Sequence, residues 1–283
     1  MATFDAFALG AVVAERTSRI ALTLGPLAVA VRDPVMIAMG VASLTELTGR
    51  TVNVALGSSS PVVVQQWHGR AQERTAVALA ESAAAVRVLL DGNRADLEGQ
   101  VIRTRGFRLR TAPPASQLTI AAFGAGAVRV AARIADRMVI NLVTPQSAAR
   151  LVEMLHKECQ EQGRPVPRVA AWVTAVVDPS PEGVEQIRRG LVGYLSAPGY
   201  GEMFAEAGFA DVVAFARTRP HPRDLLAAIP TDIVNHVSLV GDEATVRARL
   251  GDYAEAGVDE IALVPGSSDK DPAGVATLRA LAS

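Results

Sequence analysis

Leu118-Thr119-Ile120-Ala121-Ala122-Phe123-Gly124-Ala125-Gly126-Ala127 decides the fold. The apolar, β-branched run Leu118–Ala122 turns through Phe123-Gly124-Ala125-Gly126 and passes without a linker into the amphipathic stretch Ala127–Ala135. The run reads as a strand covered on both faces and the stretch after it as a helix. A glycine-bearing strand-to-helix turn offers bare N–H groups and a positive helix end, which suits a phosphate. Taken alone, the same residues also read as a tight turn that lets the helix pack closely.

The alternation repeats on both sides of this stretch. Apolar runs at Ile20–Leu24, Thr51–Leu56, Met138–Val143, Val169–Val177 and Glu260–Val264 bring the strands to six, and Thr231–Val240 is a further extended piece. Helical patterns fall at Val35–Leu47, Glu73–Leu90, Ser147–Gln162, Pro181–Leu195 and Glu243–Ala256. In Ser147–Gln162, Leu151, Met154 and Leu155 recur at three and four, as on a helix lying on a core. Pro34, Pro145 and Pro181 follow the capping residues Asp33, Thr144 and Ser180, while Gly163 and Gly257 close helices. Repeated strand–helix–strand units predict a parallel sheet under helices, either doubly wound or closed as a barrel. No tandem repeat or linker divides the chain. Residues 1–283 therefore read as one domain, with an excursion at about 91–116 and a mostly helical insertion at about 178–230.

Composition narrows the function classes. The 283 residues are 49% hydrophobic and 20% charged, which excludes a disordered or collagen-like chain. A net charge of −1 gives no overall field toward nucleic acid or an anionic membrane. The single cysteine, Cys159, supplies neither an internal disulfide nor a multi-thiolate metal site. Phe7–Val13 lacks a preceding basic region, so no signal peptide is expected, and no apolar run approaches the roughly 20 residues of a membrane helix. The expectation is a cytoplasmic protein. Arginine greatly outnumbers lysine, found only at Lys157 and Lys270, a bias of the kind a GC-rich genome imposes.

An ordered set of fragments adds to this. Thr17-Ser18-Arg19-Ile20 through Gly25, Arg32-Asp33-Pro34, Leu44-Thr45-Glu46-Leu47-Thr48-Gly49-Arg50 and a strand ending in Gly57 come first. Trp67-His68-Gly69-Arg70, Ile120 through Gly124, Ala135-Asp136-Arg137-Met138-Val139, Val240-Gly241-Asp242 and Tyr253 through Asp259 follow in order. The set resembles the bacterial luciferase-like monooxygenase superfamily, and within it the branch that uses the deazaflavin coenzyme F420. The resemblance implies a TIM-type (β/α)8 barrel with the cofactor at the C-terminal ends of the strands. It implies a cis peptide in a strand bulge, matched here by Gly25-Pro26, the alternative being an ordinary trans turn. Proline makes a cis bond far less costly than other residues do. Cofactor contacts are implied at Gly25, Pro26, Gly57, Ser58 and Ser59, with Phe123, the amides of Gly124, Ala125 and Gly126 under a phosphate, and Asn141 ending the neighbouring strand. The implied activity is hydride transfer between F420 and a small organic substrate. An FMN-dependent monooxygenase, or a silent flavin- or deazaflavin-binding protein, is the alternative. Members are often dimers, so a homodimer is expected. The family usually opens with a strand, helix and second strand before the segment matched here by Ala6–Arg16. The expectation is thus a barrel incomplete at its N-terminus, which removes the usual catalytic residues of the second strand.

Other candidates have less behind them. None of His68, His156, His221 and His236 has metal-ligand spacing. His68, in Trp67-His68-Gly69-Arg70, is the candidate proton donor or substrate contact, with a surface or capping role as its alternative. Gly57-Ser58-Ser59-Ser60 lacks the second glycine of a nucleophile elbow. Arg103, Arg105, Arg108 and Arg110 read either as a solvated hairpin face or as an attractor for an anionic cofactor tail. Tyr200, Met203, Phe204 and Phe209 read either as a substrate pocket or as packing inside the helical insertion.

Overall fold

The computed structural model describes residues 4–269 and 271–282. Two compact units emerge, Met1–Val139 with Leu155–Pro167, and Ile140–Met154 with Arg168–Ser283.

The first unit begins with α1 (Ala6–Arg16), capped by the Asp5 carboxylate, and β1 (Leu22–Ala28). Helix α2 (Pro34–Thr48) starts where Asp33 accepts the Met36 N–H at 2.9 Å, with proline in the first turn, and stops at Gly49 with φ +65°. Its buried stripe includes Ile37, Ala38 and Val41. Strand β2 (Val52–Gly57) is buried along its whole length, as a parallel strand between helices must be. A single π-helical turn (Val62–Trp67) and α3 (Thr75–Leu90) follow. The excursion is an antiparallel hairpin of β3 (Ala95–Glu98) and β4 (Arg103–Phe107). The chain then enters β5 (Leu118–Ala121), α4 (Ala125–Ile134) and β6 (Arg137–Asn141). Pairing is parallel from β1 to β2, β2 to β5 and β5 to β6.

In the second unit, α5 (Pro145–Glu161), which runs on into the first, leads to β7 (Arg168–Val177). The insertion supplies α6 (Pro181–Leu191), α7 (Tyr200–Phe204), α8 (Ala210–Arg217) and α9 (Pro222–Ala228). After α10 (Ile233–Val237) come β8 (Ser238–Gly241), α11 (Glu243–Glu255), β9 (Glu260–Pro265) and α12 (Val275–Leu281). Both β8 and β9 pair in parallel with β7.

Three expectations need correction. Strand β1 does not end before Gly25-Pro26: it runs through that pair, whose peptide bond is cis, to Ala28. The register against β2 shifts between Leu24 and Leu27, so the pair forms a bulge inside the strand. The parallel strands number seven among the described residues, because Thr231–Val240 divides into a short helix and a true strand. Strand β6 stops at Asn141, since Leu142 takes φ +53° and breaks the ladder.

The hairpin is tied down by one carboxylate. Glu81 on α3 accepts the backbone N–H groups of Gln100, Val101 and Ile102 at 2.7, 2.9 and 2.8 Å. A Cβ on Gly99 would lie 2.4 Å from that carboxyl group, so a side chain there would displace the Glu81 carboxylate. Desolvation pushes the Glu81 pKa up, but the three N–H donors and nearby Arg74 outweigh it, and the net shift is downward. A folded-state pKa below the unfolded value gives stability that is present above the unfolded pKa and lost as pH falls through the folded one. The unfolding free-energy gap between wild type and Glu81→Ala is therefore expected to shrink as pH drops below the ordinary 4.5. Urea melts across that window check it, and a gap independent of pH would contradict the assignment.

Candidate functional site

Ends of three parallel strands of the first unit meet around Gly57. A Cβ on Gly57 would lie 3.3 Å from Cβ of both Pro26 in β1 and Ala121 in β5, while its carbonyl accepts the Val29 N–H at 3.1 Å. The cis Gly25-Pro26 bulge, the end of β2 and the end of β5 therefore form one small-residue floor. Ser58 and Ser59 continue from it, with Ser59 at φ +60°. Both serine carbonyls are held by Gln72, whose Nε2 donates to Ser58 O at 3.1 Å and Ser59 O at 3.0 Å. This clamp fixes the loop backbone.

At the end of β5 the chain turns as the Leu118–Gly126 stretch predicts. Gly124 caps α4 in an extended conformation, and a Cβ on it would meet nothing within 4 Å. Its carbonyl accepts from Ala127 and Val128, whereas the amides of Ala125 and Gly126 have no acceptor among the described residues. A Cβ on Gly126 would sit 2.9 Å from Cβ of Ala76, so this glycine does serve close packing against α3. The close-packing reading of the turn therefore applies at Gly126. Phe123 is half-buried beside it.

Next to Ser58 lies a pocket of about 290 Å³, framed by Val29–Asp33 after β1, Arg70–Glu73, the start of α3 and the hairpin turn at Val101 and Ile102. His68 closes the π-helical turn, is exposed, and does not line this pocket. Gln72 and Glu81 carried no sequence signal, because their partners lie 13 to 21 residues away and follow no periodicity.

Asn141, in the second unit, ends β6 and is hydrogen-bonded with Tyr200. Burial pushes the Tyr200 phenol up to about 12, Tyr194 adds to the rise, and the hydrogen bond with Asn141 opposes it. Tyr194 meets the Tyr200 ring edge-on at 5.1 Å. The aromatic set of the insertion is therefore split: Met203, Phe204 and Phe209 are buried packing, and only Tyr200 reaches a strand end. Buried Tyr253 donates to the Val143 carbonyl at 2.6 Å and holds the turn that follows Asn141. The arginine run is a solvated hairpin face, with Arg103 and Arg105 both paired to Glu98. His156 is exposed, His221 caps α9, and His236 packs edge-on against Phe209. Among the described residues no group of three His, Cys, Asp or Glu side chains is placed to hold a metal, and no helix is long and apolar enough to cross a membrane.

Comparison with known proteins identifies the family. Residues 1–260 match the family model described as luciferase-like monooxygenase. A 5,10-methylenetetrahydromethanopterin reductase of Methanolobus tindarius is 22% identical over 265 residues, 91% of this chain and 81% of that protein. An F420-dependent secondary alcohol dehydrogenase, solved with an F420-acetone adduct, is similar with a TM-score of 0.78 and 15% identity, covering 98% of this chain and 84% of that one. The oxygenating constituent of 3,6-diketocamphane monooxygenase from Pseudomonas putida, solved with FMN, has a TM-score of 0.68 at 17% identity, covering 99% and 84%. At these identities the structures speak for the fold, which is the α/β, TIM-type luciferase-like kind expected.

Proposed function

Since the chain belongs to the luciferase-like monooxygenase family, we propose that it is an F420-dependent oxidoreductase moving a hydride between the deazaflavin and a small organic substrate. The observation that carries this is the convergence of Pro26, Gly57 and Ala121, where the bulge in β1 meets the ends of β2 and β5. F420, when bound, supplies the hydride chemistry, and the protein's part is orientation and exclusion of water. Gly25 and Pro26 shape the floor, and the Gln72-clamped backbone of Ser58 and Ser59 borders it. The unpartnered amides of Ala125 and Gly126, with Gly124 at the positive end of α4, would take a phosphate.

Closer structural likeness to the F420-dependent alcohol dehydrogenase than to the FMN protein supports the deazaflavin. The FMN-dependent monooxygenase remains the second reading, favoured by the phosphate site that both cofactors need. A silent binder is the third, favoured by the exposed position of His68 outside the pocket. We read residues 1–283 as one such domain, acting on a small molecule in the cytoplasm. Exposed Leu9 and Val12 on α1 and Met36 and Met39 on α2 support a homodimer.

Fluorescence titration of the purified protein with F420 and with FMN tests the reading. Saturable F420 binding, at least about tenfold tighter than FMN, is expected. The reverse order would transfer the proposal to FMN, and binding of neither would overturn both.

A further inference from the structure

The pocket beside Ser58 owes part of its lining to a segment that the parallel sheet does not need. Val101 and Ile102 belong to the hairpin turn, and Glu81 holds that turn by three backbone hydrogen bonds. With Val29 and Val31 from the segment after β1 they give the pocket an aliphatic lining. Four charged residues also line it, but two are already engaged. Arg32 pairs with Asp5 and lies 5.2 Å over the Phe7 ring, and Asp33 caps α2. Arg70 and Glu73 have no ion-pair partner among the described residues. The lining therefore presents one available cation, one available acceptor and a cluster of branched aliphatic side chains. At about 290 Å³ it falls at the small end of ligand pockets, room for a compact molecule.

We propose that this pocket binds a short branched aliphatic carboxylate that carries a hydroxyl or amine next to the carboxylate. Arg70 meets the carboxylate, for which a guanidinium fork is suited. Glu73 accepts from the neighbouring hydroxyl or ammonium, and Val29, Val31, Val101 and Ile102 cover the aliphatic chain. Glu81 is a positioning residue, since it touches the turn and not the ligand. As a substrate assignment this rests on the F420 reading; as a binding site it stands without any cofactor.

The test uses the full chain, free of cofactor and labelled with 15N. It is titrated separately with 2-hydroxyisovalerate, valine, isovalerate and isobutanol, following backbone amide shifts. The hydroxy acid or the amino acid is expected to shift Ser58, Val101 and Ile102 and to bind at least about tenfold tighter than isovalerate or isobutanol. Which of the two binds identifies the donor that Glu73 receives. Arg70→Met should weaken the better ligand about tenfold or more, and Glu81→Ala should weaken it while the protein still melts cooperatively. Equal binding of the four probes, no binding of any, shifts confined to other regions, or wild-type affinity in Arg70→Met would each overturn the proposal. Because no cofactor is present, a failed F420 titration and a failed probe titration are separate results.

Discussion

Gly25→Ala is expected to cost about 2–6 kcal/mol of folding stability, a large share of what a domain of ordinary stability possesses. Two independent effects add. The residue sits at φ +126°, where a side chain is strained whatever the space around it. The new Cβ would also lie 2.3 Å from the Ala55 carbonyl oxygen and 2.7 Å from the Leu27 nitrogen. Both are backbone atoms of paired strands, so neither can rotate aside. Gly57→Ala is the informative comparison. Its added Cβ would lie 3.3 Å from Pro26 and Ala121 side-chain carbons, and its φ is not positive, so a smaller loss is expected. Urea midpoints for the two variants separate the cases. A Gly25→Ala protein within 1 kcal/mol of wild type would mean that β1 does not carry the bulge described here.

That bulge also marks the boundary of what the sequence discloses. Apolar runs locate strands wherever burial is two-sided, as at Val52–Gly57 and Leu118–Ala121, because the run itself is the burial signal. Gly25-Pro26 looks like punctuation, and the period gives no hint that pairing resumes at Leu27. Strand β8 hides because it is only four residues long, directly after the one-turn helix Ile233–Val237. Hairpin strands β3 and β4 are short and mostly polar, with nothing to distinguish them from a loop. For the site, glycine positions were legible since a missing side chain is visible in any alphabet. Gln72, Glu81 and Tyr200 were not singled out for the contacts they make, because each acts on a partner brought near only by folding. Tyr200 and Asn141 are 59 residues apart, with β7 and α6 between them.

Gly124→Asp separates the phosphate reading of the β5–α4 turn from a purely structural one. Position 124 is the N-cap of α4, already extended at φ −122°, and a Cβ there meets nothing within 4 Å. Aspartate caps helices at least as well as glycine and places a negative charge at the positive end of the helix. The folded protein should therefore be as stable as wild type or a few tenths of a kcal/mol more stable. Cofactor binding should move the opposite way. The carboxylate would accept from the second and third N–H groups of the helix, as Asp5 does from Phe7 and Ala8, taking the Gly126 amide and repelling a phosphate. A loss of at least about a hundredfold in F420 affinity is expected, and it should ease as salt screens the repulsion. Gly124→Asn, a cap of similar quality without the charge, should lose much less. The diagnostic is the sign pair, stability held or raised while affinity collapses. If Gly124→Asp binds F420 as wild type does, the phosphate lies elsewhere and the turn exists for packing alone.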